Sequence, residues 1–147
     1  MSPNHRTTFK KKERLCSEKL IEKLFHTGHR TMVFPYSLHW LIVPADTWTD
    51  NTPAQVLIAT SKKKFHHATD RNRVKRLTRE CYRLHKPQLY SFLEDNNLSL
   101  ILSINYIHNE IFEFATLMHK FDKLTDILID NIGQSVHSIP KSETPCQ

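Results

Sequence analysis

Residues 70–83 read DRNRVKRLTRECYR, and the period of this stretch decides how the chain can fold. At 100° per residue, Val74, Leu77, Cys81 and Leu84 fall on one stripe. Asn72, Arg76, Arg79 and Arg83 fall on the opposite stripe, with Lys75 beside them. The spacing predicts a helix with one face in a core and one cationic face. Thr69 or Asp70 is the expected N-cap, and the apolar pattern reaches about Glu94 if Pro87 only kinks the helix. Glu80 is the one acid between Arg71 and Arg83. Like charges at i,i+4 therefore stand uncompensated, at a cost of ~0.2–0.5 kcal/mol per pair. A solvated structural face ordinarily mixes signs, so this one points to an anion supplied from outside. The planar fork of arginine pairs two-pronged with phosphate, which makes phosphate the natural choice.

Working outward, SKKKFHH at 61–67 sets three lysines directly before the helix N-terminus. Free N–H groups, the helix dipole and the lysines together favour a bound phosphate there. AQVLIATS, 54–61, is rich in β-formers and reads as a strand. A second strand is expected over about Tyr36 to Val43, its hairpin partner being 54–61 across the polar loop ADTWTDNTP, 45–53. Downstream, LSLILSINY, 98–106, is apolar enough to be a central strand. Residues 109–132 place Ile111, Phe114, Met118, Phe121 and Leu128 on one face of another long helix. Between Arg14 and Thr27, apolar Leu20, Ile21, Leu24 and Phe25 recur at helical spacing, and Gly28 is the expected stop. Residues 1–13 form a basic lead-in. From the residues alone the order is α-β-β-α-β-α, one α+β domain over 1–132 with a small sheet, followed by a polar tail, 133–147, expected to be disordered.

Charge narrows the function. The 147-residue chain has a formal net charge of +6, yet residues 62–86 alone carry ten Lys/Arg and two acids, a local +8. The rest is slightly acidic, so the basic character is focused in one window, an electrostatic footprint for a polyanion. No apolar run approaches the ~18–20 residues that span a bilayer. The opening MSPNHRTTFKKKER lacks the apolar core of a secretory signal. Three scattered cysteines, Cys16, Cys81 and Cys146, fit reduced thiols in a cytoplasmic protein. Two glycines are too few for a Gly-rich phosphate loop.

The block RNRVKR, Arg71 to Arg76, preceded by SKK at Ser61 to Lys63, closely resembles the signature of the bacterial ribonuclease P protein subunit family. Arg14 followed by an amphipathic helix ending in LFHTG, 24–28, matches the upstream pattern of that family. The resemblance covers about residues 9–132. It implies an α+β fold of α-β-β-β-α-β-α order with a small, mostly antiparallel sheet packed with helices. That fold is shared with a domain of a small-subunit ribosomal protein and of elongation factor G, and carries a left-handed βαβ crossover; the additional strand would lie within 30–36. It also implies a protein partnered one-to-one with a large catalytic RNA, ribonuclease P RNA, which removes the 5′ leader of precursor tRNA. In that family the RNA, with Mg2+ bound mainly to it, carries the chemistry and the protein is not the catalyst, so no residue of this chain is assigned as catalytic or as a metal ligand. Transferred by motif, Lys62, Lys63, Arg71, Asn72, Arg73 and Arg76 would contact the catalytic RNA. Phe25, His39, Lys75 and Arg79 would serve the leader. Ile21 stands where the family usually has phenylalanine, and His39 where it often has tyrosine.

Three other readings compete. Ten histidines invite a nuclease, but none stands at metal-ligand spacing. A DNA-recognition helix would need base-reading side chains at its start, whereas the Arg/Lys monotony of 70–83 reads backbone and shape. A generic or ribosomal RNA-binding protein satisfies the charge pattern equally, and only the SKK–RNRVKR block separates it from the ribonuclease P protein.

Overall fold

The computed structural model describes residues 10–44, 47–48 and 52–143, with side chains described as far as 136. A short 3-10 turn at Lys11–Glu13 precedes α1 (Glu18–Thr27), β1 (His29–Val33), β2 (Tyr36–Val43), β3 (Ala54–Thr60), α2 (Ala68–Asp95), β4 (Ser99–Tyr106) and α3 (Phe114–Glu143). The four strands form one sheet of order β1-β2-β4-β3. β1 and β2 form the antiparallel hairpin, β2 and β4 pair antiparallel, and β3 and β4 pair parallel through the α2 crossover.

This order corrects the expected hairpin between 36–43 and 54–61. β4 lies between those two strands and is almost wholly buried. Its run of apolar residues suits a strand covered on both faces, which draws it to the centre of the sheet. The hairpin partner of β2 is instead β1, with His29 opposite Trp40 and Val33 opposite Tyr36.

Strand alternation divides the core in two. Even-numbered residues of β2 and β4, including Leu38, Trp40, Leu100, Leu102 and Ile104, face α2 and α3 in the larger cluster. Odd-numbered Val43 and Ile101 join Leu15 and Leu24 in a smaller cluster beneath α1, with Leu20, Ile21, Leu41, Trp48 and Leu57 packed against it. α1 begins at Glu18, later than Arg14, because Arg14 and Leu15 run extended beside β3, Leu15 N–H donating to Val56 O at 2.9 Å. Ser17 caps the helix, its Oγ accepting from Leu20 N–H at 3.3 Å. Gly28 closes it with ordinary φ; its need is space, since a Cβ there would meet Leu24 O at 2.3 Å and Trp40 O at 3.0 Å.

α2 is one 28-residue helix running through Pro87, with His67 as N-cap; the expected caps Thr69 and Asp70 lie inside its first turn. Its buried residues are Val74, Thr78, Cys81, Tyr82, Lys86, Leu89, Tyr90 and Leu93. Leu77 is half-buried and Leu84 is exposed, so the buried stripe is rotated from the apolar one. Polar side chains rotate it. Thr78 Oγ1 and Tyr36 OH share a hydrogen bond at 2.9 Å, the Tyr82 and Tyr90 hydroxyls lie 3.2 Å apart, and Lys86 donates to Glu13. Each buried polar atom named here has a partner, which removes most of the burial penalty.

α3 also differs from its expected 109–132. Residues 107–113 stay non-helical, stitched by Tyr106, whose hydroxyl donates to Glu110 O and accepts from Phe112 N–H. Phe114, expected in the core, is exposed, whereas Leu117, Phe121, Leu124, Leu128 and Ile132 are buried. The helix continues through Gly133 to Glu143, so 133 is no break in secondary structure. Gly133 lies against Phe92, and Val136 extends the packed stripe beyond it.

Candidate nucleic-acid interface

Ser61 begins a tight turn at the end of β3, with Lys64 and Phe65 N–H both donating to Ser61 O and Lys63 N–H to Ser61 Oγ at 3.0 Å. The turn leaves Lys62, Lys63 and Lys64 exposed while Phe65 is buried against Tyr106. Arg71 reaches back from α2 to fix this turn, its Nη1 donating to Phe65 O at 2.7 Å and His66 O at 3.0 Å. Arg71 is thus half-buried and partly committed to the fold. Asn72, Arg73 and Arg76 are exposed on the next turns, with Lys75 and Arg79 half-exposed beside them. Among the described residues, Arg73, Lys75, Arg76 and Arg79 have no acidic partner, for Glu80 is taken by Arg83. The hydrogen bond from Arg83 holds the Glu80 carboxyl below its ordinary pKa, so the one acid between Arg71 and Arg83 stays ionised and engaged. Charge pattern and structure agree on a cationic surface at the N-terminal half of α2.

The second surface lies on the opposite face of the sheet. α1 covers only the end of that face where Leu41, Val43 and Ile101 are apolar. Toward the other end, the same odd-numbered positions become Ser37 and His39 on β2, and Ser103 and Asn105 on β4. The registers Ser37 with Asn105 and His39 with Ser103 set these four side by side. Asn105 donates to Ser37 O at 3.3 Å, Ser103 to Asn105 Oδ1 at 3.4 Å, and Arg30 Nε to Ser37 Oγ at 3.4 Å. Phe25, 46% exposed at the C-terminal turn of α1, forms the wall, its ring 4.7 Å from that of His39 and tilted by 59°. Ile21, one turn back, packs on the small core. The result is a cleft with an aromatic wall whose accessible polar positions are Arg30, His39 and Asn105, while Ser37 and Ser103 lie buried beneath them.

His39 is poised within it. Its Nδ1 is shielded yet has no hydrogen-bond partner among the described residues. Burial, and secondarily the nearby Arg30 charge, push the imidazole below its ordinary pKa, so the ring is neutral at pH 7. A neutral imidazole held against the Phe25 ring can stack on a base, while the shielded Nδ1 is out of reach of its edge. The sequence singles out Phe25 and His39, and the fold brings them together. Arg30, Ser37, Ser103 and Asn105 escape it, because their neighbourhood depends on strand register.

The cleft and the cationic helix meet at one end of the sheet. β3 ends at Thr60 opposite Tyr106 and runs directly into the Ser61 turn.

Three of the described histidines are engaged separately: His29 stacks on Trp40, His85 pairs with Asp122, and His108 packs against Phe34 and Phe112. Burial raises the Cys81 thiol to about 12, the reverse of the depression that arginine neighbours would cause, so it is an inert core residue. Among the described residues, no three His, Cys, Asp or Glu side chains converge as metal ligands, and no helix is long and apolar enough to cross a membrane.

Residues 9–125 match the family described as Ribonuclease P. The chain is 32% identical over 143 residues to the ribonuclease P protein component of Chlorobium phaeobacteroides, covering 97% of this chain and 95% of that one. Its identity to the corresponding Porphyromonas gingivalis protein is 28% over 125 residues, covering 85% and 89%. In fold it is similar to the Staphylococcus aureus RNase P protein, with a TM-score of 0.59 at 16% identity over 79% of this chain and 94% of that one. The Thermotoga maritima RNase P protein superposes with a TM-score of 0.57 at 19% identity, covering 77% and 94%.

Proposed function

Because the chain belongs to the Ribonuclease P protein family, we propose that it works as the RNA-holding subunit of a tRNA 5′-processing ribonucleoprotein. The family implies ribonuclease P RNA as its partner. In the proposed division of labour the RNA performs the hydrolysis, and this chain binds the RNA and the 5′ leader of precursor tRNA. Lys62, Lys63, Arg71, Asn72, Arg73 and Arg76 hold the catalytic RNA by its phosphates. Phe25 and His39 stack leader bases, and Lys75 and Arg79 take leader phosphates as the strand leaves the cleft. The observation that carries this reading is the continuity between an aromatic cleft and a cationic helix face without acidic partners. A generic RNA-binding role would need the charge but not the cleft.

Mg2+ would serve the chemistry from sites on the RNA. The described residues of this chain offer no carboxylate cluster to hold it, so no step is assigned to a metal on the protein. A one-protein, one-RNA complex in the cytoplasm completes the proposal.

Reconstitution tests it. The purified protein alone should leave precursor tRNA intact, while its addition to the cognate RNA should lower the Mg2+ requirement and raise substrate affinity more for long leaders than short. Cleavage by the protein without RNA, abolished by one His→Ala change, would overturn the proposal.

A further inference from the structure

A groove of about 430 Å³ opens at the N-terminal end of α1, on the same side of the sheet as the cleft. Its walls come from four separate segments. Arg14 and Cys16 precede the helix, Ser17, Lys19 and Leu20 form its first turn, Thr47 and Trp48 belong to the β2–β3 connection, and Gln55 rises from β3. The volume lies within the ~300–1,000 Å³ usual for small-ligand sites. Trp48 is held in place, its indole N–H donating to Thr52 O at 2.8 Å while the ring packs on the small core. Arg14 and Lys19 are among the described residues that line the groove, and none of those described is a carboxylate.

We propose that this groove takes a further nucleotide of the single-stranded leader, its base stacked on Trp48 and its phosphate met by Lys19. The inference rests on the leader reading of the cleft and extends it along α1. A fixed aromatic ring beside cations is the pairing that single-stranded RNA uses, a π-face for any base and charge for the backbone. Position supports the same occupant. From Lys19 to Phe25 the helix rises ~9 Å, a span of about two or three stacked nucleotides at ~3.4 Å each. One strand can therefore contact both Phe25 and Trp48 across the exposed edge of α1. The polar Ser17, Thr47 and Gln55 around the groove suit a base whose edge stays partly hydrated.

The test uses holoenzyme reconstituted with the cognate RNA and three precursor tRNAs: leaderless, with a leader long enough for the cleft only, and with one several nucleotides longer. Trp48→Ala should weaken binding of the longest leader by roughly 5- to 100-fold, and leave the two shorter substrates unchanged. Lys19→Ala, at an exposed helix position that carries no fold risk, should give a smaller loss with the same leader-length dependence. With Cys146→Ser leaving Cys16 as the accessible thiol, a photoreactive azidophenacyl group on Cys16 should crosslink to distal leader nucleotides. Equal losses for all three substrates, no loss for either variant, or Cys16 crosslinks to the RNA subunit or to nothing would overturn the inference. Phe25→Ala separates the two failures. If it weakens the cleft-length leader while Trp48 and Lys19 variants do nothing, only the groove falls. If it too ignores leader length, the leader reading itself is wrong.

Discussion

The Lys86 ammonium lies 2.5 Å from the Glu13 carboxylate in the interior, the two side chains 4% and 3% exposed. Tyr90 OH donates to the same carboxylate oxygen, and Lys10 N–H donates to the other at 2.7 Å. The pair fastens the segment that leads into α1 onto the middle of α2, next to Pro87. Removing one partner strands a buried charge, so Glu13→Ala should cost about 3–5 kcal/mol of unfolding free energy. A well-packed double apolar replacement, Glu13→Leu with Lys86→Met, should recover most of that loss. Urea denaturation of the unmodified protein and the two variants measures it. A Glu13→Ala cost below about 1 kcal/mol would mean water reaches the pair.

On the cationic face, Arg71 and Arg73 should fail differently. Arg73→Ala removes one exposed charge, so affinity for the RNA subunit should fall while the slope of log K against log salt flattens by about 0.7–0.9. Arg71→Ala also frees the Phe65 and His66 carbonyls that its guanidinium holds. It should therefore lower thermal stability by a few degrees as well as affinity. Arg71→Lys should restore charge but not the two-carbonyl clamp. Filter binding over a salt series, beside thermal melts, distinguishes them, and identical melts for Arg71→Ala and Arg73→Ala would discount the clamp.

Why one surface was legible and the other only in part follows from range. The cationic face of α2 is written at i,i+3 and i,i+4 spacing, so Arg76 and Arg79 can be placed from the string alone, while Arg73 comes from the motif resemblance. Its buried face is not, because Thr78, Tyr82, Lys86 and Tyr90 enter the core through partners as distant as Glu13 and Tyr36. An apolar template selects Leu84 instead, which the fold leaves in water. The cleft shows the same limit. The change from apolar Leu41 and Val43 to polar Ser37 and His39 along β2 is visible as alternation. That Ser103 and Asn105 stand beside them requires β4 to insert between β2 and β3, a choice made by burial of its apolar run and not by sequence adjacency. The motif resemblance supplied the strand at 30–36 that local β-propensity did not.

His39 should titrate below the ordinary histidine range, since burial and Arg30 both disfavour its charged form. The sign follows directly. The unfolded chain binds a proton at this site at a higher pH than the folded chain does. As pH falls from about 6.5 toward the lowered folded value, the site therefore subtracts stability, and above 6.5 its contribution is constant. NMR titration of the His39 ring should show the low midpoint, and Arg30→Ala should move it partway back up. A midpoint at or above 6.5 in the unmodified protein would contradict the half-buried, neutral ring.

Phe25 offers the cleanest test of the cleft, because nearly half of its surface is open and its loss leaves the small core of Leu15, Leu24, Val43 and Ile101 intact. Base–aromatic stacking contributes about 1–3 kcal/mol per base by alanine substitution. Phe25→Ala should therefore weaken binding of leader-bearing precursor tRNA by that amount while leaving mature tRNA affinity and thermal stability nearly unchanged. His39→Ala should produce a similar, smaller loss. The two rings touch, so the double variant should lose less than the sum of the singles. Strict additivity would place the two side chains against different nucleotides and break the shared stack that the 4.7 Å ring contact implies.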